Sequence, residues 1–313
     1  TGSTTTSIGT SEIYRNRIQM LNSTSTSTTS HRVVGMRINL TNNAASIVRV
    51  YNNTVYNLFN SSGSTSTTTR QVVGIDAQNA GSAAGSSHYY DFNSVDIAPT
   101  TLNYSSAAFE IGTSSPKFFV RNNIFSNRTA AQAGTAKHYA IVGTSATTFG
   151  GAGSDYSYND LYVSDDVGTS GHAVRGSTTN YDDVAAFEAA VAIASNNITM
   201  DPFFTPDLHI SQTGLNSAAD PSYAANSPWV TEDMDCQARP AATDIGADEI
   251  TLTPKSLGTI VYNQASTDDI FAGTTDNPIL RIDIPVTGNS GTLNLNSLVV
   301  SSLNTSDADI AAS

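Results

Sequence analysis

A pair of apolar positions five residues apart recurs along the chain, and an asparagine occupies the same place inside each copy. The asparagines of the repeat are Asn16, Asn53, Asn93, Asn123 and Asn159. In each copy the residue three before the asparagine and the residue two after it are apolar or aromatic. Side chains alternate along a strand, so these two positions face one core only if the chain bends between them. The pattern predicts two short strands joined at an asparagine corner, whose side chain bonds to the bent backbone.

The copies follow one another at steps of 37, 40, 30 and 36 residues. A repeat period of roughly 20–50 residues is typical of solenoid proteins. Alternating apolar runs such as 33–38 and 72–77 precede the corners, and variable loops rich in Gly, Ser and Thr separate them. We interpret the chain as an all-β protein built on a right-handed parallel β-helix, in which the five asparagines stack as a ladder. An ordinary β-sandwich with asparagine-rich turns is the alternative interpretation.

Residues 182–194 interrupt the repeat. Val184, Phe187 and Val191 lie at helical spacing among alanines, and Asp183 stands just before them. This spacing predicts a short amphipathic helix, and an acidic residue at its beginning is favoured by the helix dipole. We expect the helix to cap the solenoid by covering its open core.

The last part of the chain has a different pattern. Leu280 and Ile282 belong to a run in which apolar and polar residues alternate, and a glycine-containing turn follows. This run predicts strands of a second domain, which is similar to the Ig-like β-sandwich modules that follow β-helices in large exported surface proteins. A full sandwich has about 100 residues, so we expect a truncated one. The predicted domains are 1–250 for the β-helix, with terminal turns at 201–249, and 251–313 for the sandwich.

Composition narrows the possible partners. The chain has a net charge of −13 and only three lysines, whereas nucleic acids and anionic membranes are bound by basic surfaces. No apolar run reaches the length of about 18 residues that a transmembrane helix needs, so we expect no membrane insertion. Cys236 is the only cysteine, which excludes an internal disulfide. The chain begins in a Ser/Thr run and ends in Ala-Ala-Ser, so we expect a segment of a longer protein.

Five short motifs stand close together near the end of the predicted β-helix. They are Asp-Pro-Phe-Phe at 201–204, Asp-Leu-His-Ile at 207–210, Asn-Ser-Pro-Trp at 226–229, Asp-Met-Asp-Cys-Gln-Ala-Arg-Pro at 233–240 and Asp-Ile-Gly-Ala-Asp-Glu at 244–249. The set resembles the C-terminal end of right-handed parallel β-helix repeat proteins secreted by Bacteroidetes and their relatives. The resemblance implies export, with the type IX system as the route and the cell surface or the extracellular space as the destination.

Two residues depart from the pattern of this family. Cys236 stands where the family has glycine, which puts a left-handed turn at that position in doubt. Trp229 stands where a small residue is usual. Fold does not determine function, so the resemblance implies the architecture and export better than it implies an activity.

The resemblance also implies where an active site would lie, because polysaccharide lyases and hydrolases with this fold use the outer face of one sheet. Along four successive strands the apolar residues predicted to point inward are Met36, Ile75, Phe109 and Ile141. The residues that follow them, Arg37, Asp76, Glu110 and Val142, would then point outward in one column. Two carboxylates on adjacent turns can bind Ca²⁺ or act as an acid/base pair on a glycosidic bond. The alternative is a surface ladder in which Arg37 neutralises Asp76.

A second group of carboxylates lies in the terminal motifs. The acids around Arg239 in the sequence are Asp233, Asp235, Asp244, Asp248 and Glu249. Of these, Asp233, Asp235 and Asp244 are the predicted ligands of a Ca²⁺ ion, which prefers oxygen ligands of this kind. The alternative is that Arg239 pairs with Asp244 or Asp235 and fastens the terminal turns. Calcium is therefore a possible cofactor, and the sequence indicates no other.

Tyrosine is the most frequent aromatic residue, with 13 copies against one tryptophan. Exposed rings on strands can stack on sugar rings, or can simply reflect the high strand propensity of tyrosine. The tyrosines predicted to point outward are Tyr51, Tyr56, Tyr89 and Tyr162. Tyr90 and Tyr156 are predicted to lie in the core.

These observations favour an extracellular, non-catalytic segment of a large bacterial surface or secreted protein. Functional acids and bases are sparse, the repeats are degenerate, and a sandwich module is appended. The segment would act in adhesion, in contact with an extracellular polysaccharide or cell-surface component, or as an elongated stalk. Its further partners would be other modules of the same chain or a secretion or anchoring machinery. The alternative is a polysaccharide lyase or glycoside hydrolase; a virus or phage fibre shares the solenoid but not the motifs at 201–249.

Overall fold

The structure, a computed structural model, describes most of the chain. The described residues are 9–24, 32–39, 46–61, 70–78, 86–99, 104–112, 116–129, 136–143, 149–164, 171–206, 209–263 and 280–297. Asp207 and Leu208 of the motif at 207–210 lie outside them. The chain divides into two compact units, Thr1–Ile250 and Thr251–Ser313.

The first unit is a parallel β-solenoid made of three sheets. Sheet A contains, in hydrogen-bonded order, Thr10–Tyr14, Ile47–Tyr51, Ser87–Asp91, Lys117–Arg121, Asp155–Ser157 and Ala194–Ser195. Sheet B contains Arg17–Gln19, Thr54–Asn60, Ser94–Ile97, Ile124–Asn127 and Asp160–Val163, and Asn22–Ser23 also pairs with Thr54–Asn60. Sheet C contains Val33–Ile38, Val72–Ala77, Ser106–Ile111, His138–Gly143 and Gly171–Gly176, with Thr179–Tyr181 added antiparallel at its end. The predicted parallel β-helix is confirmed.

The interior of the solenoid is an apolar cluster to which all three sheets contribute. Tyr90 and Tyr156, predicted to lie in the core, are fully buried there. Phe109 of sheet C stacks on Phe125 of sheet B with ring centroids 5.0 Å apart. The residues predicted to face inward from sheet C all belong to this cluster: Met36, Ile75, Phe109 and Ile141. Each fully buried side chain of this size contributes about 1.5–3 kcal/mol relative to exposure, so the repeated inward columns stabilise the stack.

The corner between sheets A and B carries the asparagine ladder. In each step the backbone N–H and the Nδ2 of one asparagine both donate to the Oδ1 of the next, as Asn93 does to Asn123 at 2.9 and 3.0 Å. The same Nδ2 group also reaches main-chain carbonyls, for example the Asn123 Nδ2 that donates to Tyr90 and Arg121 oxygens. The ladder runs through Asn16, Asn53, Asn93, Asn123, Asn159 and Asn197. Its sixth member, Asn197, was not predicted.

The residue before each ladder asparagine makes the bend. These six residues have left-handed backbone conformations, with φ between 52° and 57°: Arg15, Asn52, Phe92, Asn122, Tyr158 and Asn196. A left-handed conformation costs a non-glycine residue roughly 1–2 kcal/mol. The asparagine that follows helps to offset this cost, because its side chain donates to main-chain carbonyls at the bend, such as those of Tyr90 and Arg121 beside Asn123.

Helix α1, Val184–Ala190, caps one end of the solenoid and is shorter than the predicted 182–194. Asp183 is its N-cap and accepts a hydrogen bond from the Ala186 N–H at 2.7 Å. Phe187 is buried in the solenoid core, as an apolar helix face predicts. The Glu188 Oε1 accepts from both the N–H and the Nδ2 of Asn197. The helix therefore covers the core and also supplies the last acceptor of the ladder.

Residues 201–250, called the terminal block below, do not form further solenoid turns. Their described residues contain one 3₁₀ turn, Thr213–Leu215, and one short helix, α2, Tyr223–Asn226. A second apolar cluster joins the block to the outer side of the corner between sheets A and B. Its members include Tyr51, Phe92 and Ile124 from the solenoid and Ile210, Leu215, Tyr223 and Ile245 from the block. The prediction of terminal turns at 201–249 is therefore wrong in detail, because the block packs on the side of the solenoid.

The backbone at Cys236 forms the left-handed turn that the absence of glycine had put in doubt. Its φ is 68°, so the turn has the left-handed conformation that glycine adopts most easily. The thiol is exposed and unpaired. The turn therefore keeps its shape despite the departure from glycine.

The second unit contains two antiparallel strand pairs within its described residues, 251–263 and 280–297. Ser256–Leu257 pairs with Val286–Thr287, and Val261–Asn263 pairs with Arg281–Asp283. The Ig-like sandwich stays a prediction. In the part of the chain that the structure describes, no helix has the length and apolar character needed to cross a membrane.

Candidate functional site

The predicted catalytic column lies on sheet C in the predicted register. Arg37 pairs with Asp76, and Asp76 pairs with Glu110, on successive strands. The Arg37 Nε donates to the Asp76 Oδ2 at 2.9 Å. Both carboxylates are nearly inaccessible, with Asp76 at 0% exposure and Glu110 at 3%. The expectation of an exposed column is therefore wrong for the two acids, although their alignment is as predicted.

Two further arginines that sequence reasoning missed hold these acids. Arg70 binds Glu110 through two bonds, from Nε at 2.8 Å and from Nη2 at 2.9 Å. Arg32 lies between the acids, with its Nη2 2.9 Å from the Glu110 Oε2 and 3.6 Å from the Asp76 Oδ2. Arginine donors thus occupy carboxylate oxygens that a general acid, a general base or Ca²⁺ would need. Arg32 and Arg70 precede strands Val33–Ile38 and Val72–Ala77, and only the register brings them to these acids.

Two of the acids predicted to bind calcium accept hydrogen bonds from the main chain. The Asp233 Oδ1 accepts the N–H groups of Asp235 and Gln237 at 2.9 and 2.8 Å, and its Oδ2 accepts that of Glu249. The Asp244 carboxylate accepts the N–H groups of two further residues, Ser217 and Ile250. Carboxylates engaged in this way fasten turns. The calcium site at Asp233, Asp235 and Asp244 stays a prediction, and main-chain N–H groups already engage oxygens of Asp233 and Asp244.

Arg239 is the buried centre of the terminal block. Its Nη1 pairs with Glu249 at 2.5 Å, and not with Asp244 or Asp235 as the alternative expectation held. Its Nη2 donates to the Asn52 Oδ1 at 2.9 Å and to the Gly246 carbonyl at 2.8 Å. The guanidinium lies 4.1 Å from the ring centroid of Phe92. Because Asn52 and Phe92 are corner residues of the solenoid, Arg239 fastens the block to the solenoid.

A different set of side chains converges in the terminal block: His209, Asp235 and Asp248. The His209 Nδ1 lies 3.0 Å from the Asp248 Oδ1 and 3.5 Å from the Asp235 Oδ2. The Asp248 Oδ2 accepts the Ile210 N–H at 3.0 Å. Burial raises the pKa of Asp248, and the bonds from Ile210 and His209 oppose that rise. Of these three residues the predicted calcium site contains only Asp235, although Asp248 belongs to the same group of acids around Arg239. His209 shows no metal-ligand spacing in the sequence and lies 39 residues from Asp248.

The tyrosines predicted to bind a ligand are mostly unavailable. Tyr51 and Tyr56 are each 7% exposed, so the expectation that these two rings are accessible to a ligand is wrong. Tyr51 belongs to the apolar cluster under the terminal block, and Tyr56 donates a hydrogen bond to Gln19. Tyr162 is half-buried on sheet B and stays a candidate.

Outward aromatic rings instead form a surface on sheet A, where Arg49, Tyr89 and Phe119 occupy one column. Strand alternation turns their neighbours Val48, His88 and Phe118 inward. The rings of Tyr89 and Phe119 are stacked, with centroids 4.6 Å apart and planes 9° apart. All three residues are half-buried.

Trp229 of the terminal block completes this surface. Its ring meets Tyr89 edge-on at 4.9 Å, and the Arg49 guanidinium lies 4.0 Å from its centroid. We call Arg49, Tyr89, Phe119 and Trp229 the aromatic patch. Tyr89 was predicted to point outward, whereas the contribution of Trp229 depends on how the block packs.

A buried ion pair lies next to the aromatic patch, on the same face of sheet A, where Asp91 pairs with Arg121 on the adjacent strand. The Arg121 guanidinium lies 5.3 Å from the Phe119 centroid and its Nε donates to the Asp91 Oδ1 at 3.2 Å. The Ser227 hydroxyl, two residues before Trp229, donates to the Asp91 Oδ2 at 2.8 Å. Burial raises the pKa of Asp91 to about 6, against the opposing effect of Arg121. Strands Ser87–Asp91 and Lys117–Arg121 are thus bonded, beside the rings, to the segment that carries Trp229.

Comparison with known proteins does not assign a function to these sites. No protein family, no curated protein and no solved structure matches the chain.

Proposed function

We propose that the chain is an extracellular, non-catalytic module that contacts glycans through the aromatic patch. The observation that carries this proposal is the stack of Tyr89 on Phe119, with Trp229 against its edge, on the outer face of sheet A. Aromatic faces carry a negative quadrupole, which attracts the C–H groups on the face of a sugar ring. Rings that are held by neighbours before binding lose little conformational entropy when a ligand arrives.

The acidic residues of the chain favour binding over catalysis. A glycoside hydrolase needs one carboxyl group to donate a proton and a second one to act as a base or nucleophile. Arginine donors engage both Asp76 and Glu110, and main-chain N–H groups engage Asp233 and Asp244. A lyase or hydrolase is therefore the less favoured alternative.

Charge restricts the kind of glycan. The net charge is −13, and like charge disfavours the approach of a polyanionic chain. A neutral polysaccharide is therefore the proposed ligand. Within the aromatic patch Arg49 already forms an ion pair with Glu12 at 2.7 Å. The positive charge of Arg49 is therefore neutralised and does not favour the binding of an acidic glycan.

Export to the bacterial surface is part of the proposal and has separate support. It rests on the resemblance of the motifs at 201–249 to secreted β-helix repeat proteins. Type IX export, further modules of the same chain and an anchoring machinery follow from that resemblance. A sorting domain at the end of the full gene product would support this part, and retention of the full gene product in the cytoplasm would contradict it.

The test uses the purified chain and immobilised polysaccharides, both neutral and acidic. Tyr89→Ala and Trp229→Ala should each weaken retention on a neutral glycan by about tenfold, which corresponds to ~1.4 kcal/mol. The matched control is Tyr14→Ala. Tyr14 is also an exposed tyrosine of sheet A stacked on an aromatic neighbour, Tyr51, at 4.9 Å, but it lies outside the aromatic patch.

Three outcomes would overturn the proposal. New reducing ends or unsaturated products that disappear in Asp76→Ala or Glu110→Ala would show an enzyme. Retention that survives both patch variants would place the binding face elsewhere. Absence of both glycan retention and turnover would indicate that the chain acts only as an elongated stalk.

A further inference from the structure

We propose that His209, Asp235 and Asp248 form a binding site for a divalent transition-metal ion of the Zn²⁺ class. The site does not rest on the proposed glycan function, because it uses none of the residues of the aromatic patch. It also differs from the calcium site that the sequence suggested, since only Asp235 is common to both.

The geometry of the three side chains carries the proposal. One ligand atom from each residue lies within 4.8 Å of the other two. The Asp248 carboxylate is held in place because its second oxygen accepts the Ile210 N–H. A ligand that is oriented by a main-chain bond is typical of metal centres, where outer contacts fix the direction of the ligands. The His209 and Asp235 side chains are each 40% exposed, so an ion can enter from solvent.

The charges around the imidazole support a cation at this point. Two carboxylates converge on one nitrogen atom, His209 Nδ1, at 3.0 and 3.5 Å. That nitrogen can donate only one hydrogen atom, so it can satisfy only one of the two acids well. The ligand oxygens of Asp235 and Asp248 also lie within 4.8 Å of each other, so the two carboxylates repel each other. A divalent ion bound to all three atoms would neutralise both carboxylates.

The types of ligand select the class of ion. Ca²⁺ and Mg²⁺ prefer oxygen ligands throughout, whereas imidazole suits Zn²⁺, Cu²⁺ and Ni²⁺. One imidazole with two carboxylates therefore favours a transition-metal ion. Three protein ligands also leave a fourth position of a tetrahedral ion open to water or to a group from a partner.

A metal at this position would stabilise the terminal block. The three ligands come from separate segments, since 26 residues separate His209 from Asp235 and 13 separate Asp235 from Asp248. An ion that binds the folded block and not the unfolded chain raises its thermal stability.

The experiment measures binding of Zn²⁺ and, separately, Ca²⁺ to the chelator-treated full chain by titration calorimetry, with thermal unfolding as a second readout. All proteins carry Cys236→Ser, because the exposed thiol of Cys236, the residue after Asp235, can itself bind zinc. The test variants are His209→Gln and Asp235→Asn. Asp248 is left unchanged because its bond to Ile210 is structural. The control is Asp182→Asn, which alters a His–Asp pair on sheet C in which the Nδ1 of His172 lies 2.6 Å from Asp182.

We expect Zn²⁺ to bind with one ion per chain and to raise the melting temperature of the Cys236→Ser protein and of the control. Each test variant should weaken zinc binding at least tenfold and lose the rise in melting temperature. Zinc binding that is absent, or unchanged in both test variants, would overturn the proposal. Ca²⁺ binding as tight as Zn²⁺ binding would contradict the proposed preference of the site for a transition-metal ion. Glycan retention is measured separately without metal, so failure of one proposal is distinguishable from failure of the other.

Discussion

The solenoid and the terminal block satisfy their buried backbone groups in different ways. In the solenoid one residue type does so at every turn, as the ladder from Asn16 to Asn197 shows. In the block each bend has its own side chain, such as Asp233 for the turn at 235–237 and Asp244 for the Ile250 N–H. Carboxylates are good acceptors for several N–H groups at once. A dense group of acids in an irregular segment is therefore weak evidence for a metal site until its oxygens are accounted for.

The two regions meet at the left-handed corner residues. The Asn122 Oδ1 accepts the Asp220 N–H at 2.7 Å, and its carbonyl accepts the Gly246 N–H at 2.8 Å. The Asn52 Nδ2 donates to the Glu232 carbonyl, and its Oδ1 accepts from Arg239. Asn52 and Asn122, which each precede a ladder asparagine, thus bond outward to the terminal block. The ladder asparagines bond instead to one another and to main-chain carbonyls of the solenoid.

Removing one asparagine from the middle of the ladder should have the largest effect. Asn123→Ala deletes donors to two carbonyls and both sides of the ladder contact, all of them buried. Each buried group left unpaired costs about 1–3 kcal/mol, so we expect a loss of about 4 kcal/mol in the free energy of unfolding. Urea denaturation measures it.

The matched control is Asn16→Ala at the exposed end of the ladder, where solvent replaces the lost bonds and a loss of about 1 kcal/mol is expected. Equal losses in the two variants would show that position in the ladder does not matter and would remove the contrast with the block.

Removing the central arginine of the block should have a smaller and more local effect. Arg239→Met leaves Glu249 without its partner, and the loss of one member of a buried ion pair costs about 3 kcal/mol or more. We expect faster hydrogen exchange in 209–250, while the amides of sheets A, B and C stay protected.

Arg281→Met is the control, because this arginine is 71% exposed at its ion pair with Asp283 and surface pairs contribute about 0–1 kcal/mol. Loss of protection throughout the solenoid in Arg239→Met would mean that the block and the solenoid unfold as one unit.

The smallest predicted effect appears only in acid. Burial lowers the pKa of His88 to about 4, from an ordinary value near 6.5. Between pH 6.5 and pH 4 the His88 imidazole is therefore protonated in the unfolded chain but neutral in the folded chain. The free energy of unfolding falls as the pH drops through this range. The loss is about 2 kcal/mol between pH 6.5 and pH 5.

His88→Val removes this titration and matches Val48, its neighbour in the same inward column. Chemical denaturation at pH 7 and pH 5 should show a smaller acid loss in the variant by about 2 kcal/mol. An unchanged slope would mean that His88 is accessible to protons in the folded chain and would contradict a dry solenoid core.

Sequence reasoning succeeded where the repeat is regular. It placed five ladder asparagines and the register of Arg37, Asp76 and Glu110 correctly. It missed Asn197 because Thr199 breaks the apolar position two residues later. It missed Arg32 and Arg70 because an arginine at the start of a strand has no period of its own, and its partner lies on another turn.

The prediction of exposed side chains was less successful, and the tyrosines show why. Tyr51, Tyr56 and Tyr89 all lie on strands, yet two are buried and one belongs to the aromatic patch. The terminal block covers Tyr51, while its Trp229 packs against the edge of Tyr89 and leaves that ring half-buried. Strand alternation alone does not distinguish these cases.

By itself the sequence determined which residues stack on which, because the spacing of apolar positions sets both the turn length and the face of every strand. Only the tertiary structure decided which outward residues meet water and which carboxylates are free to bind anything. Burial and hydrogen bonding depend on the segment that lies over a strand. The terminal block, which covers the corner of sheets A and B, has no repeat from which its position could be predicted.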